Sequence, residues 1–322
     1  MKVPVLVFGN RKGGVGKTTN SVMTAYELAK MGYKTLVCDL DPQSSATNLL
    51  SRTYARQKNP NKNDYIRELV CKAKEKGEIF TQEVAKKKIA EDYPKLEKKN
   101  LHIKKTMMLA LSEKDIASTI VKVRKNLFLL PSDDDFVDYP DFLEQIFPSN
   151  VDNFKEKRIA YFGEQFKTIK DDYDFVVIDV PPTLSIYTDS AIYIADDVIV
   201  ALQTQQDSFD GAIKFYDYMQ KMFNKYNSLD FNVLGVLPVI LHKGAGLDNQ
   251  ILEDAKNNFG NDAVFDTVIT YMERIKRYGR LGIADKEAEF GGGKDRYDKA
   301  AHQIYHKLAK EIIQRLEEGN KE

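Results

Sequence analysis

The 322-residue chain predicts an α/β fold, a mostly parallel, doubly wound sheet with helices on both faces. Three observations lead there. Six short runs rich in β-branched residues (3–8, 35–39, 127–130, 175–179, 198–202 and 233–240) recur with helical stretches between them. The runs are continuously apolar rather than alternating, as strands buried on both sides should be. The residues that carry chemistry gather where these runs end, which is where ligands collect in such sheets.

The first run leads into Lys12-Gly13-Gly14-Val15-Gly16-Lys17-Thr18-Thr19, and the following stretch, 21–30, reads as a helix stopped by Gly32. Strand, glycine turn and helix N-terminus in that order let backbone N–H groups surround a polyphosphate, with the helix dipole adding positive potential. Lys17 is placed to reach the β- and γ-phosphates, and the Thr18 hydroxyl to sit on Mg²⁺. The ordinary pattern G-x-x-x-x-G-K-[ST] needs its first glycine at position 11, which is Arg11. A second lysine, Lys12, lies inside the loop instead. Crowded by Lys17, its charge is better used on a nucleotide held by a neighbouring subunit.

Runs 35–39 and 175–179 end in Asp39-Leu40-Asp41-Pro42-Gln43 and Asp179-Val180-Pro181-Pro182. An acidic residue closing a core strand beside a phosphate loop orients the Mg²⁺ shell, usually through water, and Asp179 has that position. Between 52 and 105, Lys and Arg outnumber Asp and Glu two to one, with clusters at Lys86-Lys87-Lys88, Lys98-Lys99 and Lys104-Lys105. Ile66, Leu69, Val70 and Ala73 keep helical spacing there. This stretch reads as a mainly helical basic insertion within a single domain of residues 1–322, either a solvated face or a surface for nucleic acid or a partner. Near the end, 298–318 carries Ile304, Leu308 and Ile312 on one stripe, beside Tyr305, Ala309 and Ile313. It is a helix that docks on the core or on a dimer partner.

Composition narrows the function classes. Forty-eight Lys and Arg balance 48 Asp and Glu, so no whole-chain attraction to nucleic acid or membrane follows. No apolar run approaches the length of a membrane span, and the chain enters its first strand without a signal-peptide flank, so a cytoplasmic location is expected. Cys38 and Cys71 are the only cysteines; without C-x-x-C, an iron–sulfur cluster is excluded, and Cys38 in its apolar run reads as core. His302 and His306 are spaced i, i+4 but lack a third ligand, and read as surface histidines.

The motifs at 12–19, 39–43 and 179–182 resemble, in order and spacing, the nucleotide motifs of the deviant Walker A partition ATPases of ParA type, in the ParA/Soj/MinD superfamily of P-loop ATPases. Segments 126–132 and 234–238 and the strand ending at Gln203 agree. The resemblance implies that Gly13, Gly14, Val15, Gly16, Lys17, Thr18 and Thr19 hold ATP, that Thr18, Asp39 and Asp179 support Mg²⁺, and that Asp41 positions the attacking water. Lys12 would reach across a two-fold interface to the partner's ATP. The cationic segment 271–280 is similar in position to the family segment that contacts DNA phosphates, with Arg274 aligned best and Lys276, Arg277 and Arg280 beside it. A second family arginine falls at Gly244, next to Lys243.

The function implied is plasmid or chromosome segregation. An ATP-sandwich homodimer would bind non-specific DNA on the nucleoid and release it after hydrolysis stimulated by a DNA-bound partner of ParB type. The alternatives are a membrane-cycling ATPase of MinD type, which calls for a basic amphipathic tail where this chain has Glu317-Glu318, and a DNA-binding copy-number or transcription regulator, which calls for an N-terminal reader region.

Overall fold

The computed structural model describes residues 2–59, 99–242, 246–284 and 295–319, with isolated positions between 69 and 92. Among the described residues, eight strands form one sheet in the order β3-β4-β2-β5-β1-β6-β7-β8. They are β1 (Val5–Gly9), β2 (Thr35–Asp39), β3 (Val121–Arg124), β4 (Leu127–Leu130), β5 (Phe175–Asp179), β6 (Asp197–Gln203), β7 (Asn232–Leu241) and β8 (Ile269–Thr270). All neighbours pair in parallel except β3 with β4. The expected sheet is therefore present, and two strands were not foreseen. One is the short β8. The other is β3, the edge strand, whose alternating Val121-Lys122-Val123-Arg124 puts charges on an otherwise open edge.

Strand β1 shows how both faces are filled. Val5 and Val7 enter one core, and Leu6 and Phe8 the other, so an unbroken apolar run is what this position demands. The first core is covered by α3 (Met107–Ser112), α4 (Tyr139–Ile146), α5 (Phe154–Phe166), α6 (Ile186–Ile194), α7 (Gln206–Lys225) and α8 (Gly246–Phe259). The second is covered by α1 (Lys17–Met31), α2 (Ser45–Lys58), α9 (Glu273–Leu281) and α10 (Asp295–Gly319). Cys38 is fully buried in the first core, where burial pushes its thiol pKa up and keeps it unreactive.

Residues 52–58, read from composition as the start of the basic insertion, are the second half of α2, which packs on the core through buried Thr53 and partly buried Tyr54. Thr53 Oγ1 accepts from the Ile283 N–H at 3.0 Å, and Arg56 donates to the Gly282 carbonyl at 2.7 Å. Arg52 donates to the Gly279 carbonyl. Side chains of α2 thus satisfy the carbonyls at the C-terminal end of α9. Most of the remaining insertion, including Lys86, Lys98, Ile66 and Val70, lies outside the described residues; Lys87 and Lys88 are exposed.

Gly282 makes that contact possible. Its φ is +77°, and a Cβ there would lie 2.5 Å from the Arg52 carbonyl oxygen. Gly282→Ala is expected to cost about 1–3 kcal/mol, through left-handed strain plus overpacking. Equilibrium urea unfolding checks this: the midpoint falls while the slope stays constant.

The terminal helix docks on the core through Ala301, Tyr305, Leu308, Ala309 and Ile312. His302 corrects its reading as a surface residue. It is 2 % exposed, with Nδ1 2.5 Å from Glu27 Oε1 on α1 and Nε2 2.6 Å from the Ala284 carbonyl. A histidine on the same stripe as Tyr305 is carried inward, and the cost of burial is offset by two hydrogen-bond partners that only the tertiary fold supplies. His306, one turn on, remains half-exposed.

Candidate functional site

Register places the site. Phe8, Asp39 and Asp179 stand side by side on β1, β2 and β5, so the loop after β1 and both carboxylates share one edge of the sheet. Gly14 and Gly16 each have φ of +78°, and Gly16 turns the chain into α1. Side chains with a Cβ are strained in that conformation. No side chain caps the first turn of α1, and no acidic residue lies in it, so its N–H groups are left for an anion.

Lys17 is 6 % exposed, and its Nζ donates to the Lys12 carbonyl at 3.3 Å. Burial lowers its pKa, opposed by the charges of Asp179 and Asp41. It lines a cavity of about 570 Å³ with Thr18, Asp41, Arg52 and Pro182. A buried ammonium with one neutral partner, facing such a space, is arranged for phosphate. A second cavity of about 320 Å³ on the other flank of the loop is lined by Thr19, Asn20, Ile240, Tyr271, Met272 and Tyr305. Ile240, a β-branched residue at φ +58°, is held in a strained conformation at its wall.

The two carboxylates differ. Asp179 Oδ1 accepts from Ser21 Oγ at 3.0 Å, the Thr18 hydroxyl lies near the carboxylate, and buried Oδ2 has no partner. That orphaned oxygen beside the Thr18 hydroxyl fits a hydrated Mg²⁺. Asp39 uses both oxygens on backbone N–H groups, those of Thr47 at 2.7 Å and Asp41 at 3.2 Å. It organises the turn that presents Asp41. Burial raises the pKa of both carboxylates, with repulsion from Asp179 adding to it at Asp39 and repulsion from Asp41 adding to it at Asp179. Asp41, 8 % exposed, accepts from the Gln43 N–H at 2.9 Å and points its remaining capacity at the cavity it shares with Lys17 and Thr18.

Residues 3–231 match the AAA domain family, AAA_31. The chain belongs to that family. Among its relatives, the chromosome-partitioning ATPase Soj of Treponema pallidum is 25 % identical over 314 residues, covering 96 % of this chain and 97 % of the relative. The sporulation initiation inhibitor protein Soj of Bacillus subtilis is 25 % identical over 272 residues, 84 % of this chain and 85 % of the relative. The solved Cyanothece McdA–ATP complex is similar in fold, with a TM-score of 0.68 at 17 % identity over 97 % of this chain and 96 % of that one. This AAA_31 member is thus a P-loop ATPase of the ParA/MinD superfamily.

The remaining residues singled out from sequence do not line the cavity beside Lys17. Lys12 Nζ pairs with Asp207 Oδ2 at 3.2 Å, the two side chains being 43 % and 77 % exposed. Most of the cationic segment lies in α9, and its residues separate. Lys276, Arg277 and Arg280 are exposed, whereas Arg274 is drawn into an ion pair with Asp298 on α10.

Asn10 and Asn20 were missed in the sequence. Asn10 Nδ2 donates to Ala201 O at 2.7 Å and Ser208 O at 3.2 Å, and its Oδ1 accepts from the Lys12 N–H at 2.8 Å, tying the loop to β6 and α7. Asn20 Nδ2 donates to Gly16 O at 2.8 Å. The available signal was an amide at each end of the glycine loop; the partners of the Asn10 Nδ2 group lie 191 and 198 residues away.

Proposed function

We propose that this chain is an ATP-dependent DNA segregation ATPase. Two subunits would sandwich ATP, bind DNA without sequence preference, and release it once hydrolysis is stimulated by a DNA-bound partner of ParB type. Lys12 carries the reading. Its ammonium is exposed and outside the cavity lined by its own Lys17 and Thr18, so it is free to neutralise phosphate charge on a second subunit at the loss of one exposed ion pair, worth about 0–1 kcal/mol.

The cavity beside Lys17, Thr18 and Asp41 would take the triphosphate, and the cavity beside Met272 and Tyr271 the base. Thr18, and Asp179 through water, would hold Mg²⁺, which would supply neutralisation of phosphate charge. Asp41 would orient the attacking water. The exposed Lys276, Arg277 and Arg280 supply phosphate contacts that read no bases. A membrane-cycling role finds less support, because α10 already buries its Leu308–Ile312 stripe against the core.

DNA binding is measured on several unrelated sequences with no nucleotide, ADP, ATP and a non-hydrolysable analogue. The expected result is sequence-tolerant binding in the ATP states, with Lys12→Ala binding ATP as a monomer and failing to dimerise, hydrolyse or hold DNA. A full ATP dimer of Lys12→Ala by light scattering would remove the cross-subunit role. Absence of DNA binding in every state at low salt would remove the segregation reading.

A further inference from the structure

Arg274 donates through Nε to Oδ1 and through Nη2 to Oδ2 of Asp298, the two-pronged geometry with which arginine also takes a phosphate. The Tyr278 hydroxyl donates to the same Oδ1 at 2.8 Å. Arg56 of α2 lies close enough that, after burial, the Arg274 charge is the next largest influence lowering its pKa. One carboxylate therefore serves a cluster with two arginines, next to the exposed Lys276, Arg277 and Arg280.

Asp298 is also mechanically connected to the phosphate loop. It shares one face of α10 with His302 and Tyr305, at i, i+4 and i+7. His302 bridges Glu27 of α1 and the Ala284 carbonyl, and the Tyr305 hydroxyl donates to Asn20 Oδ1 at 2.9 Å. Asn20 in turn holds the Gly16 carbonyl. The carboxylate paired with Arg274 and the hydroxyl that bonds Asn20 on α1 sit about two turns apart on one helix.

We propose that Asp298 is an internal stand-in for a DNA phosphate on Arg274, and that nucleotide in the glycine loop, felt through Asn20 and Tyr305, moves α10 so that Arg274 passes from Asp298 to DNA. This rests on the nucleotide-gated DNA binding proposed above and adds its residue-level regulator. A ligand shifts such an equilibrium only through contacts that differ between the two states, and the Gly16–Asn20–Tyr305 chain supplies them.

Duplex affinity is measured against salt, without nucleotide and with Mg²⁺ and a non-hydrolysable ATP analogue. Asp298→Asn should raise nucleotide-free affinity about tenfold, the equivalent of one charge-assisted contact. It should also steepen the slope of log affinity against log salt by roughly 0.9 per subunit, and shrink the gain that nucleotide brings. Arg274→Ala should leave nucleotide-free binding unchanged in the parent protein yet abolish the gain in Asp298→Asn. Arg274→Lys, which cannot make the two-pronged pair, should also raise nucleotide-free affinity, and serves if Asp298→Asn does not fold. Tyr305→Phe should reduce the nucleotide effect. Glu273→Gln, which removes an exposed carboxylate from the same helix, should lift both states equally. An Asp298→Asn gain no larger than that of Glu273→Gln, or one that survives Arg274→Ala, overturns the latch alone. Failure of the parent protein to bind DNA in any state overturns the segregation reading, and the latch with it.

Discussion

Lys17→Ala is expected to abolish nucleotide binding at physiological concentration. The substitution removes a buried ammonium that faces the phosphate cavity with only the Lys12 carbonyl as a neutral partner. Two charge-assisted hydrogen bonds to phosphate oxygens contribute about 3–6 kcal/mol, or roughly 10²–10⁴ in affinity. The apo protein should keep its melting temperature, because a desolvated charge is lost along with its single weak contact. The stabilisation that ATP normally adds, which grows with the ratio of ligand to Kd, should vanish. Isothermal titration and thermal shift together check this. Near-normal ATP affinity would mean that the glycine loop does not cradle phosphate.

Asp41→Ala should separate binding from turnover. Asp41 shares the cavity with Lys17 and Thr18 but forms no hydrogen bond or ion pair with either, so ATP binding and dimerisation should persist. Hydrolysis should slow by roughly 10²–10⁴, the usual contribution of a positioned carboxylate acting on a nucleophile's proton or orientation. With release blocked, the variant should accumulate as DNA-bound dimer. Phosphate-release kinetics with and without DNA provide the measurement. Turnover at the parent rate, or loss of ATP affinity as deep as that of Lys17→Ala, would contradict the assignment.

Much of the nucleotide site was legible because its parts are local. A strand, a glycine turn and a helix start within fifteen residues dictate where backbone N–H groups point, and Asp39 and Asp179 end strands whose apolar runs announce their burial, with Asp41 two residues on. Division of labour between the carboxylates was not legible. Asp39 and Asp179 look equivalent in sequence. The difference arises because the Thr47 and Asp41 N–H groups turn onto one of them and an orphaned oxygen remains on the other. The edge strand β3 was readable in principle from its Val-Lys-Val-Arg alternation, but four residues give little periodicity to count.

Charged residues mark the boundary most clearly. By itself the sequence determined the sheet, the glycine loop and which residue types line the cavity beside it, because those follow from apolar runs, glycine conformations and short-range spacing. The tertiary structure alone decided that Arg274 is paired while Lys276, Arg277 and Arg280 are exposed, that His302 is buried against Glu27, and that Asn10 ties the loop to α7. A charge or an amide finds its partner through space, across separations of 24, 275 and 198 residues here. The strength of such pairs depends on burial and distance, and neither is set until the helices have packed onto the sheet.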